Sequence, residues 1–305
     1  MASRAGNGSP APRARPRYEG SGRALDAGSP ERRRILGQNF FRSVDSARQF
    51  ASQLAAPERA TVVEVGAGSG TVTRALAETG RPIVAVEIDK YWARRLHEER
   101  LPGVTVVVAD FLRWLPPPGP VAVIGNLPFG SSTDILRRCL ELSPQLLCRG
   151  VFLLQQQYVQ KRIGRWGGNL FNAEWAPWYR FRAGLGFPRR EFRPVPNADT
   201  QTLLVEPQDP SLLAWAARGA YQDLARAVFA TGHLTVGAAL QPIEAHAWGA
   251  WLRRSGLDRD RRVKDLSVED WLELFRSRRS DTAAPRPRRP QRDPDRSARR
   301  GGPGS

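Results

Sequence analysis

Along the chain, short runs of β-branched and aliphatic residues alternate with stretches in which apolar positions recur every three or four residues. TVVEV (61–65), IVAVE (83–87), VTVVV (104–108), VAVI (121–124), VFLLQ (151–155) and TLLVE (202–206) have the length and composition of buried strands. Helical spacing fills 71–79, 90–100 and 132–142 between them. Nearly continuous apolar strands alternating with amphipathic helices predict a doubly wound, mostly parallel α/β sheet covered on both faces. After 206 the strand signal stops. Helical spacing over 211–230, 236–254 and 267–276, with Trp215, Trp248, Trp251 and Trp271, predicts a small helical domain, with Pro207 and Pro210 marking the junction. Ser267, three residues before Asp270, fits the start of its last helix.

The two ends break this pattern. Residues 1–34 are dominated by Ala, Arg, Gly, Pro and Ser, and 277–305 repeat that composition, which offers too little apolar surface to offset the entropy of ordering. The expected organisation is a tail over 1–34, an α/β domain over 35–207, a helical domain over 208–276 and a second tail over 277–305. Of the net charge of +17, residues 1–34 supply eight Arg against three acids and 276–305 ten against three, so the body is only moderately basic. Arg-rich arms of this kind suit a polyanion and should add salt-sensitive, sequence-independent affinity. Only Lys90, Lys161 and Lys264 are lysines among 47 basic residues, a bias that GC-rich coding explains as well as phosphate chemistry does. Cys139 and Cys148 have no CxxC spacing and no nearby His pair, and His97, His233 and His246 are scattered, so neither a disulfide framework nor a metal is expected. No apolar stretch has the length of a signal-peptide core or a membrane span, and a cytoplasmic location is expected.

Candidate chemistry gathers at the carboxyl ends of the predicted strands. EVGAGSG (64–70) follows one strand and opens a helix, and its spacing, Gly66, Gly68 and Gly70, is GxGxG rather than the GxGxxG of nicotinamide sites, which favours a nucleoside without pyrophosphate. Such a turn is weak alone. Glu87 ends the second strand, where an acid can accept both ribose hydroxyls, and Asp110 follows the third, where it can accept an adenine amine. Ile88 and Phe111 adjoin the two acids and join them as cofactor-site candidates. Asn126, Leu127, Pro128 and Phe129 follow the fourth strand. An adenine amine is a poor nucleophile because its lone pair is delocalised into the ring. Accepting both amine protons, on the Asn126 side chain and the Leu127 carbonyl, pushes the nitrogen toward tetrahedral geometry, while Phe129 stacks on the base.

LGQNFF (36–41), EVGAGSG, Glu87, AD (109–110), NLPF (126–129) and FRPVPNADT (192–200) stand in an order and spacing that resemble the ribosomal RNA adenine N6-methyltransferases, from about residue 35 to 276. That family includes the Erm macrolide-resistance enzymes and the KsgA-like small-subunit dimethyltransferases. The resemblance implies a class I, Rossmann-like methyltransferase domain using S-adenosylmethionine, followed by an RNA-binding helical domain. It implies that Gln38, Asn39 and Phe41 fold over the cofactor, that Gly66, Glu87, Asp110 and Asn126 line its site, and that Phe192 faces the target adenine opposite Phe129. NLPFGSSTDILRR, LLQQQYVQKRIGRWGG and the Arg-rich end look like actinomycete Erm enzymes, although PNADT departs from the usual Pro-x-Val of the Phe192 motif.

The target base must leave its stack, and phosphate contacts are expected from Arg137, Arg138, Lys161, Arg162, Arg165, Arg189, Arg190 and Arg193. Trp166, Trp175 and Trp178 suit either stacking on RNA or packing at a sheet edge. The expected partner is 23S rRNA, methylated by a monomer to give macrolide-lincosamide-streptogramin B resistance. The alternatives are a KsgA-like enzyme acting on small-subunit rRNA and a catalytically inactive nucleic-acid-binding factor on the same fold.

Overall fold

The computed structural model describes residues 39–164, 168–243, 249, 252 and 256–283, with side chains to 277. The expected tail over 1–34 and most of that over 277–305 lie outside the described residues, as do Gln38, Arg165, Trp166, His246, Trp248 and Trp251.

Seven strands form one sheet in the order β4-β3-β2-β5-β6-β9-β7. They are β2 (Thr61–Val65), β3 (Ile83–Glu87), β4 (Val104–Val108), β5 (Val121–Asn126), β6 (Leu147–Gln155), β7 (Tyr179–Phe187) and β9 (Thr200–Pro207). β4, β3, β2, β5 and β6 are mutually parallel, while β9 runs antiparallel to β6 and to β7. A separate two-stranded ribbon joins β1 (Phe40–Phe41) to β8 (Phe192–Arg193).

Three apolar runs, 61–65, 83–87 and 104–108, are strands with the expected bounds. β7 was not expected, so the sheet has one strand more than the hydrophobic pattern predicts. Its sequence, YRFRAGLGF, carries two Arg and two Gly and is mostly exposed, as an edge strand paired only to β9. Charge and glycine on an edge discourage further pairing, and they also erase the apolar signature.

Helices cover both faces: α1 (Val44–Ser52), α2 (Thr71–Ala77), α3 (Lys90–Glu98), α4 (Ser132–Leu140), α5 (Gln156–Ile163) and α6 (Leu170–Trp175). Ser43 caps α1 by accepting from the Asp45 and Ser46 amides, and Asp89 caps α3 by accepting from the Tyr91 amide. Beyond β9 come α7 (Arg218–Ala230), the short α8 (Val236–Leu240) and α9 (Val268–Ala283). Ser267 and Asp270 exchange hydrogen bonds between each other's side chains and amides at the start of α9, the reciprocal cap that their spacing suggests. α9 runs past 276 into the segment whose composition reads as tail.

One face of the sheet shares a continuous core with these C-terminal helices, from Val123 and Phe152 through Trp178 to Tyr221, Trp271 and Phe275. Trp175 and Trp178 are buried in it, so both pack the fold rather than wait for a base. A buried ion-pair relay crosses the same region. Glu174 on α6, 1% exposed, meets Arg137 on α4 and Arg226 on α7, each at 2.7 Å. Glu174→Ala leaves Arg137 without its counter-charge and Arg226 with only the exposed Asp223, and should lower stability by about 2–3 kcal/mol in thermal or denaturant unfolding. Glu78→Ala, at the exposed and solvent-screened pair with Arg48, should cost far less, and equal losses in the two variants would contradict this account.

Candidate active site

At the carboxyl edge of β2, β3 and β5 lies a cavity of about 580 Å³, within the range of cofactor pockets. Its wall unites Asn39, Phe41, Gly66, Glu87, Ile88, Asp110, Phe111, Asn126 and Pro128, drawn from five separate segments of the chain. The glycine turn has φ of +72° at Gly66, +51° at Gly68 and +76° at Gly70, the left-handed region that side-chain-bearing residues avoid. Gly68 and Gly70 shape the turn without lining the cavity. The space over Gly68 is filled by the Phe40 ring, 2.4 Å from where a Cβ would sit.

Glu87 is 2% exposed and anchors the turn. Its Oε2 accepts from the Gly68 amide at 2.7 Å and its Oε1 from the Asp89 amide at 2.8 Å. Burial pushes its pKa up, and the amides of Asp89 and Gly68 pull it back. Each oxygen retains a second lone pair, so a diol can still be accepted. Asp110 uses Oδ1 to accept from the Leu112 amide, and its Oδ2 lies 3.9 Å from Arg113.

Asn126 at the end of β5 donates from Nδ2 to the Asn39 carbonyl at 2.6 Å. A carbonyl accepts and cannot donate, so this bond fixes which end of the amide is spent and leaves Oδ1 as an acceptor. Leu127 and Phe129 do not line the cavity. The Leu127 side chain is buried, and Phe129 is half-buried in the turn between β5 and α4.

Phe192 is a correction. The resemblance sets it across the target base from Phe129. Its ring is instead 1% exposed, with its centroid 4.8 Å from that of Phe41, in the cluster that includes Phe50 and Phe187. Its strand still matters, because β8 pairs with β1 and ties the 192–193 segment to the wall of the cavity.

Three of the expected phosphate contacts are committed elsewhere. Arg137 pairs with Glu174, Arg138 donates to the Trp114 carbonyl, and Arg162 donates to Asn169 and lies over the Tyr158 and Phe171 rings. Lys161, Arg189, Arg190 and Arg193 are exposed.

The sequence reading missed Phe40 and Glu64, both on the cavity wall. Phe40 meets Trp92 edge-on with ring centroids 5.2 Å apart. Adjacent strand residues face opposite ways, so FF on a strand itself announces one ring for each side. Glu64, the one charge within TVVEV, is 3% exposed and accepts from the Thr73 hydroxyl at 2.6 Å. Burial pushes its pKa up to about 8. Between the ordinary carboxylate range and about pH 8, the folded protein therefore holds a proton that the unfolded chain has released, and this group's contribution to stability falls as pH rises through that window. Glu64→Gln should flatten the decline of unfolding midpoint between pH 5 and 8, and an unchanged slope would show that Glu64 is not its source.

Among the described residues, no group of His, Cys, Asp and Glu is arranged to hold a metal ion, and no helix is long and apolar enough to cross a membrane. The model of the family described as ribosomal RNA adenine dimethylase matches residues 30–279. A mycinamicin-resistance protein of Micromonospora griseorubida is 33% identical, covering 87% of this chain and 85% of its own. An rRNA methyltransferase of Streptomyces thermotolerans is 36% identical, covering 80% of this chain and 82% of its own. Among solved structures, the 23S rRNA methyltransferase ErmE superposes with a TM-score of 0.67 at 28% identity, covering 78% of this chain and 98% of that one.

Proposed function

The chain belongs to the ribosomal RNA adenine dimethylase family, and from that premise we propose that it transfers a methyl group from S-adenosylmethionine to N6 of one adenine in the peptidyl transferase loop of 23S rRNA. The added methyl displaces macrolide, lincosamide and streptogramin B drugs from their site and confers resistance.

Asn126 carries the reading. Its amide is held by the Asn39 carbonyl with Oδ1 left to accept, at the rim of a cavity sized for a nucleoside cofactor. The residues present fit S-adenosylmethionine. The left-handed Gly66 on the wall allows close approach, Glu87 keeps lone pairs for the ribose hydroxyls, and Asp110 with Ile88 and Phe111 forms an adenine berth of one acid beside apolar surface. When bound, the cofactor supplies a methyl group on a positively charged sulfur, already activated for displacement.

Asn126 Oδ1 and the Leu127 carbonyl each accept one proton of the target amine, so the nitrogen lone pair is withdrawn from the ring and directed at the methyl carbon. With the cofactor bound, its methyl group would pass to that nitrogen and leave a neutral thioether, and the amine proton would be lost to water. No side chain with a tuned pKa is required, because positioning and electrostatics supply the acceleration. Phe129 offers its face to the flipped base.

Lys161, Arg189, Arg190 and Arg193 are the proposed backbone contacts, and Arg193 sits opposite Phe40 in the β1–β8 ribbon, close to the cavity wall. Every group comes from one chain, so a monomer suffices. Expression in a macrolide-sensitive bacterium should raise the inhibitory concentration of macrolides, lincosamides and streptogramin B together. Unchanged sensitivity to all three, with the protein soluble and present, would overturn the resistance reading.

A further inference from the structure

Beside the cofactor cavity, the first turn of α3 carries an aromatic ring that the proposed chemistry does not use. Trp92 is half-buried and does not line the cavity. It meets Phe40, which does, edge-on, with ring centroids 5.2 Å apart at an interplanar angle of 67°. On its other side it has Tyr91, also edge-on, at 5.1 Å. Tyr91 is itself tied down, because its hydroxyl accepts from Arg95 Nη1 at 3.0 Å.

These contacts close a circuit. Glu87 holds the glycine turn through the Gly68 amide at 2.7 Å and the start of α3 through the Asp89 amide at 2.8 Å. Asp89 caps α3 by accepting from the Tyr91 amide at 2.9 Å, one residue before Trp92. The Trp92 ring meets the Phe40 ring, and the Phe40 ring fills the space over Gly68, where the circuit began. Phe40 is thus held between two elements that one buried carboxylate anchors. Its own strand offers little further support, since β1 pairs only two residues with two of β8, and so short a pairing is marginal by itself. The next residue back, Asn39, accepts from Asn126 Nδ2, so the place of Phe40 also bears on the amide that receives the target amine.

We infer that Trp92 is a positioning residue for S-adenosylmethionine, holding the Phe40 ring against the glycine turn so that the cofactor meets a wall already in place. The inference rests on the reading of the cavity as the cofactor site. Trp92 acts through Phe40, and its effect is preorganisation: a wall that needs no ordering on binding keeps the full affinity of the contacts it makes. Once cofactor saturates the site, the ligand itself holds the wall. The effect therefore belongs to cofactor affinity and leaves the rate of transfer at saturation in place.

Titration calorimetry on the full chain tests it. Trp92→Ala should weaken S-adenosylmethionine binding by about two- to tenfold, the weight of one aromatic pair. Trp92→Phe keeps a ring for Phe40 to meet and should restore affinity to within about twofold of wild type. In a Phe40→Ala background, Trp92→Ala should cost no further affinity, because the ring through which it acts is gone. With saturating cofactor and protein-free 23S rRNA, kcat of Trp92→Ala should stay within about twofold of wild type, while KM for cofactor rises with the binding constant. Unchanged affinity in Trp92→Ala, even where the unfolding midpoint falls, would reduce the contact to packing and overturn the inference. An equal loss in the Phe40→Ala background would overturn it as well, since Trp92 would then act by another route. A wild type that binds no S-adenosylmethionine defeats the parent reading, and the positioning role falls with it.

Discussion

Asn126→Ala is expected to lower kcat for methyl transfer by about 10²–10³-fold, the usual loss when one preorganised hydrogen-bonding group is removed from a transition state. The substitution does two things at once. It deletes the oxygen that accepts an amine proton, and it deletes the hydrogen bond to the Asn39 carbonyl that holds the 39–41 segment against the end of β5. The companion Asn126→Asp separates them. A carboxylate still accepts from the amine, but it meets the Asn39 carbonyl with a second acceptor in place of a donor. Asn126→Asp should therefore fall between wild type and Asn126→Ala in kcat and should bind cofactor more weakly than wild type. Single-turnover rates at saturating RNA and cofactor report the first effect, and equilibrium binding reports the second. A kcat for Asn126→Ala within tenfold of wild type would mean that the amine is activated by other groups.

Gly68→Ala should weaken cofactor binding by at least about tenfold, since a ligand-site backbone is being pushed out of a preorganised shape. The new Cβ would stand 2.4 Å from the Phe40 ring, which is itself confined by Trp92. Either the ring leaves the cavity wall or the turn shifts, and a shifted turn carries the Gly68 amide away from Glu87. Gly80→Ala is the control. Gly80 has φ +71° and open space where its Cβ would lie, so it costs about 1 kcal/mol of backbone strain without touching cofactor affinity. Titration calorimetry with S-adenosylmethionine distinguishes the two. Equal cofactor affinities in both variants would mean that the contact between Phe40 and the turn has no part in binding.

The strands legible in the sequence are those that keep a run of β-branched apolar residues. β2 and β3 are buried on both faces, and the edge strand β4, although none of its residues is buried, still carries four Val, so the bounds of all three follow from composition. β7, at the other edge, was not legible because arginine and glycine interrupt its apolar residues. The acids and the glycine turn were legible because chemistry dictates residue types there. Glu87 and Asp110 meet in one cavity with Asn126 although 23 and 16 residues separate consecutive members, which strand order alone accounts for. The arginines were the least legible. Whether a guanidinium meets solvent, as at Arg190, or a buried carboxylate, as at Arg137, is decided by helices far away in sequence, and Glu174 gives no local sign of its role. Phe192 shows the same limit in reverse, because a ring's partners across a two-residue ribbon are set by β1, some 150 residues earlier.

The most direct test of the account is methyl transfer from labelled S-adenosylmethionine to protein-free 23S rRNA and, in parallel, to small-subunit particles, with reverse-transcription stops locating the modified base. The account predicts incorporation into 23S rRNA with one stop in the peptidyl transferase loop, lost in Asn126→Ala. A stop confined to the 3′ end of the small-subunit RNA would contradict it and place the chain with the KsgA-like dimethyltransferases. No transfer to either RNA while cofactor still binds would contradict it in favour of a binding factor that has kept the fold without the reaction.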